Sequence, residues 1–255
     1  DLHSFPTRRS SDLGNSVSNA AFPQLTEHLG NNRQDLFQKD LRQLLRVIIW
    51  MAMPVSVITF FTRGYVVHFI RNTGDPMMAG ILGCLVVAIL FRTIYHMAAR
   101  AFYAQQDTKT PLNISFAAIG LNVVLAIVLS MVLKMGAYGL AWAQSTVAVI
   151  EVVILFVVLE KRIPHLFDAS FVVAILRMIM ASTVAGIVCY LMLQVLPFRE
   201  SDSSFFSAFP KFMIIAGVSF LAYGLMSRML KLPEVEPIIK QVNKFLFLRL
   251  DGKRR

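Results

Sequence analysis

The chain has 255 residues, of which 56% are hydrophobic and only 16% charged, with a net charge of +10. Water-soluble domains carry charge on about 25% of their residues; here the apolar residues stand in long blocks, which excludes a soluble domain and points to an all-α integral membrane protein. The basic balance does not indicate nucleic acid, because the cations sit in short connections and in the tail, with no aromatic–basic motif beside them.

Residues 3–13 read His-Ser-Phe-Pro-Thr-Arg-Arg-Ser-Ser-Asp-Leu, and their back-translation matches a common sequencing adapter codon by codon. Residues 1–13 are therefore expected to be an adapter-derived artefact rather than native sequence, and they are left out of fold reasoning. With no initiator Met, the chain is expected to be a piece of a longer protein. Residues 14–43 read as the end of a preceding helix followed by a cytoplasmic connection, with Gly30-Asn31-Asn32 as the turn signal.

Six segments then reach the roughly 20 apolar residues that a membrane-crossing helix needs: residues 44–62, 77–97, 112–133, 136–159, 171–196 and 210–227. They are too long, and alternate too little, to be β-barrel strands. Pro76, Pro111, Pro164, Pro197, Pro210 and Pro233 fall at or near the edges, where a missing N–H costs least. Pro54 lies within the first span and is expected to kink it. Residues 231–255 form a basic tail. In it Val235, Ile238, Ile239, Val242, Phe245 and Leu246 recur at helical spacing, with Lys240, Lys244 and Arg249 around the polar side. That pattern fits an amphipathic helix in the headgroup layer, or one docked on the bundle. Leaving out the adapter residues, Arg46 and Arg177, and counting Arg92 with the connection after its span, 16 Lys and Arg fall on the tail's side of the membrane and 5 on the other. The positive-inside rule makes the tail side cytoplasmic; without the tail the bias narrows to 8 against 5.

Residues able to carry catalysis are missing: there is no nucleophile elbow, no phosphate-cradling glycine loop and no His/Asp/Glu cluster at metal spacing. Cys84 and Cys189 both lie inside apolar spans and read as packing residues, and His96 reads as an interfacial or packing histidine. Charges inside the spans are more informative, since an unpaired charge in lipid costs a few kcal/mol. Glu151 stands about 12 Å and Arg177 about 9 Å from the cytoplasmic ends of consecutive spans. The matched depths predict an ion pair between Glu151 and Arg177, either a coupling site or a lock on helix register. Asn122 can face Gln144, Ser145 and Thr146 on the next span, as interhelical glue or as a cation site. Arg46 is near enough to the cytoplasmic end of its span to snorkel.

Residues 100–111, Arg-Ala-Phe-Tyr-Ala-Gln-Gln-Asp-Thr-Lys-Thr-Pro, resemble a cytoplasmic connection of MurJ/MviN-type lipid II flippases. The stretches Ala-Ala-Phe-Pro-Gln-Leu-Thr-Glu at 20–27 and Gly-Ala-Tyr-Gly-Leu-Ala at 136–141 agree with it. The resemblance implies the C-terminal part of a fourteen-helix, two-lobe flippase. Residues 44–160 would be the four-helix part of the C-terminal lobe and 161–230 the final helix pair, which in that family forms a groove for an isoprenoid tail. It further implies movement of undecaprenyl-pyrophosphate-linked peptidoglycan precursor across the bacterial cytoplasmic membrane by alternating access. The partners implied are that precursor, membrane lipids and the missing N-terminal part. Arg100 and Lys109 would meet substrate or lipid headgroups. Asn122 and Gln144 would stand near a cation site of some members, although Ala126 replaces an expected oxygen ligand. No cofactor is expected, and sodium or proton coupling is left open. Two other readings stay open at this point: an exporter of the same superfamily for polysaccharide repeats or drugs, and a scaffold that transports nothing.

Overall fold

The computed structural model describes residues 34–71, 75–196 and 205–235, apart from the side chains of 71 and 205–207. Each expected span is a helix: α1 (Gln34–Phe61), α3 (Pro76–Ala104), α4 (Lys109–Ile127), α5 (Ala137–Arg162), α6 (Ala169–Val195) and α7 (Phe205–Met229). A short helix not expected from the sequence, α2 (Arg63–Arg71), follows α1. These 6 long helices have the length and composition to cross a membrane, and no strand occurs among the described residues. The adapter-derived segment, the helix end ahead of Gly30 and the amphipathic tail beyond Val235 lie outside the described residues.

The last helix starts at Phe205, earlier than expected, with Pro210 inside it rather than at its edge. The two largest differences from the hydropathy reading share one reason. Helix α1 begins at Gln34, inside the stretch expected to be a connection. Phe37, Leu41, Leu44 and Leu45 recur at helical spacing there, and all are buried. Helix α3 continues to Ala104, because Ala98, Ala101 and Phe102 are fully buried against the bundle. Tertiary packing, rather than hydrocarbon thickness, sets both ends. Within α1 the chain stays helical through Pro54.

Carboxylates cap the helix starts. Asp75 accepts from Met77 N at 2.9 Å ahead of Pro76, and Asp168 accepts from Phe171 N at 3.0 Å. The Ser170 hydroxyl, the Phe171 N–H and the neighbouring Arg42 hold Asp168 below the usual carboxylate range. At α4 the capping side chain is Asp107, whose carboxylate accepts from the backbone of Lys109 and Thr110. Pro111 then takes the third helical position, still within the first turn, where no N–H is needed.

The packing order differs from the chain order. Helix α4 packs on α5, α5 on α3, α3 on α1, α1 on α6 and α6 on α7, while α5 and α6 share no helix–helix contact. The seams are lined by small residues: Ala98 and Ala101 on α3, Ala143 and Ala148 on α5, Ala181 and Ala185 on α6. In lipid, where apolar side chains gain nothing by leaving the solvent, such close backbone approach supplies the dispersion energy. Polar stitches join the seams: Ser145 Oγ donates to the Cys84 carbonyl at 2.6 Å, and Tyr223 OH to the Trp50 carbonyl at 2.8 Å. Arg46, expected only to snorkel, forms an ion pair with Glu234 in the turn after α7.

The 136–141 motif has a steric explanation. Helix α4 ends in a π turn, Val128–Val132, and Gly136 takes φ +57, a left-handed conformation that glycine adopts freely. Helix α5 then crosses so close that a Cβ at Gly139 would stand 2.6 Å from the Leu129 carbonyl carbon. Gly139→Ala is therefore expected to destabilise the bundle by about 1–3 kcal/mol. Gly120→Ala, where a Cβ meets nothing within 4 Å, should leave stability unchanged or raised. Thermal unfolding in detergent checks the pair, and equal midpoints would refute the steric account.

Candidate functional site

Ser115 and Asn122 stand seven residues apart on α4, as do Gln144 and Glu151 on α5. Two helical turns separate each pair, so each lies on one face. The helices run antiparallel, and the faces meet as two polar rungs. Asn122 Nδ2 donates to Gln144 Oε1 at 2.6 Å, and Ser115 Oγ donates to Glu151 Oε1 at 2.9 Å. Tyr95 on α3 extends the second rung, its hydroxyl 2.7 Å from Ser115 Oγ and 3.3 Å from the Pro111 carbonyl.

Glu151 is 1% exposed. Its partner is Arg92 on α3, whose Nη1 lies 3.5 Å from Glu151 Oε2. The expected pairing with Arg177 does not form: Arg177 is exposed on α6, and α3 and α1 stand between α5 and α6. Matched depth was correct as far as it went, but sequence neighbours need not be packing neighbours. From the sequence, Arg92 is placed with the loop-side cations at the end of its span. In fact it lies about 18 Å, at 1.5 Å per residue, from the end of α3 at Ala104. The signal available in the sequence was the seven-residue spacing of polar side chains on both neighbouring helices.

A cavity of about 250 Å³ lies between the rungs, lined by Arg92, Ser115, Ala118, Asn122, Gln144 and Glu151. Arg92 and Gln144 also border a more open cleft of about 370 Å³ with Leu85, Ile89 and His96. The arrangement thus presents a guanidinium, a carboxylate and two amides around a space large enough for several water molecules. No group of three or more His, Cys, Asp or Glu residues that could hold a metal occurs among the described residues.

Arg100 lies in the last turns of α3 and Lys109 at the start of α4, the first half-buried and the second exposed. The group that organises this end is Asp107, which binds Thr110 Oγ at 2.6 Å and Arg162 Nη2 at 2.6 Å. The Thr110 hydroxyl and N–H, with Arg162 behind them, hold the Asp107 carboxyl down to about 2, from an ordinary 3.8. Arg162 also covers the Phe102 ring, its guanidinium carbon 5.2 Å from the centroid.

Two tests follow from this geometry. Removing Arg92 leaves Glu151 buried without a counter-charge, which costs about 3–5 kcal/mol for a fully buried pair and less here because Arg92 is part exposed. Arg92→Ala should cost about 2 kcal/mol in thermal unfolding, and adding Glu151→Gln should restore most of it; an additive double variant would show that the two are not coupled. Asp107, with its pKa depressed, contributes its full stabilisation above about pH 4 and loses it as pH falls toward 2. Asp107→Asn should remove that part of the acid-side fall in unfolding temperature, and an unchanged profile would refute the cap's role.

The model of a family described as lipid II flippase MurJ matches residues 11–209. A probable lipid II flippase MurJ of Thermotoga maritima is 25% identical over 90% of this chain and 44% of its own length. One of Borreliella burgdorferi is 27% identical over 58% of this chain and 30% of its own. Among solved structures, a lipid II flippase MurJ in an inward closed conformation superposes with a TM-score of 0.64 at 22% identity, over 85% of this chain and 44% of that one. The chain thus spans less than half the length of these relatives.

Proposed function

The chain belongs to the lipid II flippase MurJ family, and from that premise we propose that it works as the C-terminal part of a transporter that moves lipid II across the bacterial cytoplasmic membrane. The observation that carries the reading is the family match over residues 11–209. The substrate would be undecaprenyl-pyrophosphate-linked peptidoglycan precursor, moved by alternating access, with the chain's C-terminus in the cytoplasm.

In this reading α3, α4 and α5 form one register-locked unit, and the headgroup-binding cations come mainly from the part of the protein that precedes residue 14. Arg100 and Lys109 would meet lipid or substrate phosphates at the cytoplasmic surface. Sodium or proton coupling belongs to the same proposal, with Asn122 and Gln144, hydrogen-bonded to one another across α4 and α5, as the candidate ligands. Six membrane-crossing helices offer a wall to a transport path rather than a closed one. Residues 14–255 expressed alone should therefore fail to rescue a flippase-depleted cell, whereas a full-length protein containing them should restore growth and cell shape. Rescue by the piece alone, or failure of the full-length protein despite normal membrane levels, would overturn the proposal.

A further inference from the structure

A second polar cavity, of about 320 Å³, opens where the cytoplasmic half of α1 meets the start of α6 and the turn after α7. Lys39, Arg42, Gln43 and Arg46 line it from one stripe of α1, at helical spacing, with Ser170 and Glu234 opposite. Two of its cations are held in place by carboxylates: Arg42 Nη1 lies 2.6 Å from Asp168, and Arg46 pairs with Glu234. Arg42 also donates to the His165 carbonyl. Lys39 is exposed at the cavity's edge. Three cations therefore face two carboxylates, leaving one positive charge in excess.

By the positive-inside count this cavity lies on the cytoplasmic side, at the depth of the lipid headgroups. Basic pockets between membrane helices at that depth bind phospholipid headgroups. We propose that this cavity binds the phosphodiester of an anionic membrane phospholipid, distinct from any transported precursor. A single phosphodiester carries one negative charge and balances the excess. Glu234 in the wall disfavours inorganic phosphate or a diphosphate, which carry more. The ion pairs fix Arg42 and Arg46 in advance, so binding need order little more than Lys39. The basic tail, with Lys240 and Lys244, follows directly after Glu234 in the sequence and adds attraction for an anionic leaflet.

The test uses the full-length protein containing these residues, stripped of lipid and titrated with phosphatidylglycerol or phosphatidylcholine, with bound lipids counted by native mass spectrometry. Lys39→Ala should weaken phosphatidylglycerol retention about fivefold, the worth of one cation near the surface. Gln43→Glu, which puts a negative charge on the wall and touches neither ion pair, should weaken it at least as much. Lys161→Glu, an exposed site on the same side, should change it little, and phosphatidylcholine retention should not respond to any variant. Unchanged thermal unfolding of Lys39→Ala would confirm that the fold is kept; if it falls, Gln43→Glu decides alone. Equal losses for Lys161→Glu would mean diffuse surface attraction and would overturn the site. So would inorganic phosphate displacing phosphatidylglycerol at comparable concentration, or an absence of preference over phosphatidylcholine.

Discussion

Close packing of α3 against α5 on one side and α1 on the other is the constraint from which the rest of the arrangement follows. Alanines on α3 and α5 bring the two backbones close, and in a bilayer this closeness is the main source of helix–helix energy. With α3 in the middle, α5 and α6 are held apart although only six residues of loop join them. The polar groups on α5 must then find partners on α3 or α4. Glu151 does so twice, with Ser115 and Arg92, and Ser145 does so at the Cys84 carbonyl. An unpaired polar group at this depth would cost far more than any of these contacts supplies, so the seam selects its partners.

The helix ends on the side of α1's start and α7's end are organised by a different use of charge. Several cations on that side tie a helix end to its neighbour. Arg162 at the end of α5 binds the Asp107 cap of α4, Arg42 of α1 binds the Asp168 cap of α6, and Arg46 binds Glu234 after α7. Each carboxylate near a helix start also meets the positive end of that helix's dipole. The links join α4 to α5, α1 to α6 and α1 to the turn after α7, which are packing neighbours along the row. Ion pairs at a water-facing surface are individually weak; here their geometry reinforces a packing order already fixed by the seams.

Span number, span position and the polar character of Asn122, Gln144 and Glu151 were legible because hydropathy and charge are local properties. The Asn122–Gln144 contact was legible too, since antiparallel neighbours of similar depth must bring such residues together. What failed was anything that depends on helix order in space. Arg177 is expected at the depth of Glu151 and carries the opposite charge, yet two helices, α3 and α1, stand between α5 and α6 along the row. Arg92 counts among the loop-side cations in the sequence because the apolar run fades before Ala104, whereas buried Ala98, Ala101 and Phe102 prolong the helix. Capping at α4 went to Asp107 rather than to a threonine because a carboxylate can accept from two N–H groups and from Arg162 at once. The clearest motif, residues 136–141, carried its steric meaning only once the π turn at Val128–Val132 placed Leu129 over Gly139.

Under the proposed function, a part that changes its relation to the remainder must keep its own register while outside contacts are exchanged. The α3–α4–α5 unit has the means to do so. Its two rungs lie two turns apart on one pair of helices, so a slide of α4 along α5 by one turn would break both together. Breaking them would leave Glu151 and two amides unsatisfied within the bilayer, a much larger cost than the loss of apolar contacts that lipid can replace. Sliding between α1 and α3 meets no comparable obstacle, since their shared seam is built from apolar side chains of the core cluster, Leu45, Ile49, Ala98 and Phe102 among them. Relative movement is therefore easier across the α1–α3 seam than within the polar unit, and the same division separates the rungs on one side from the basic cytoplasmic cavity on the other.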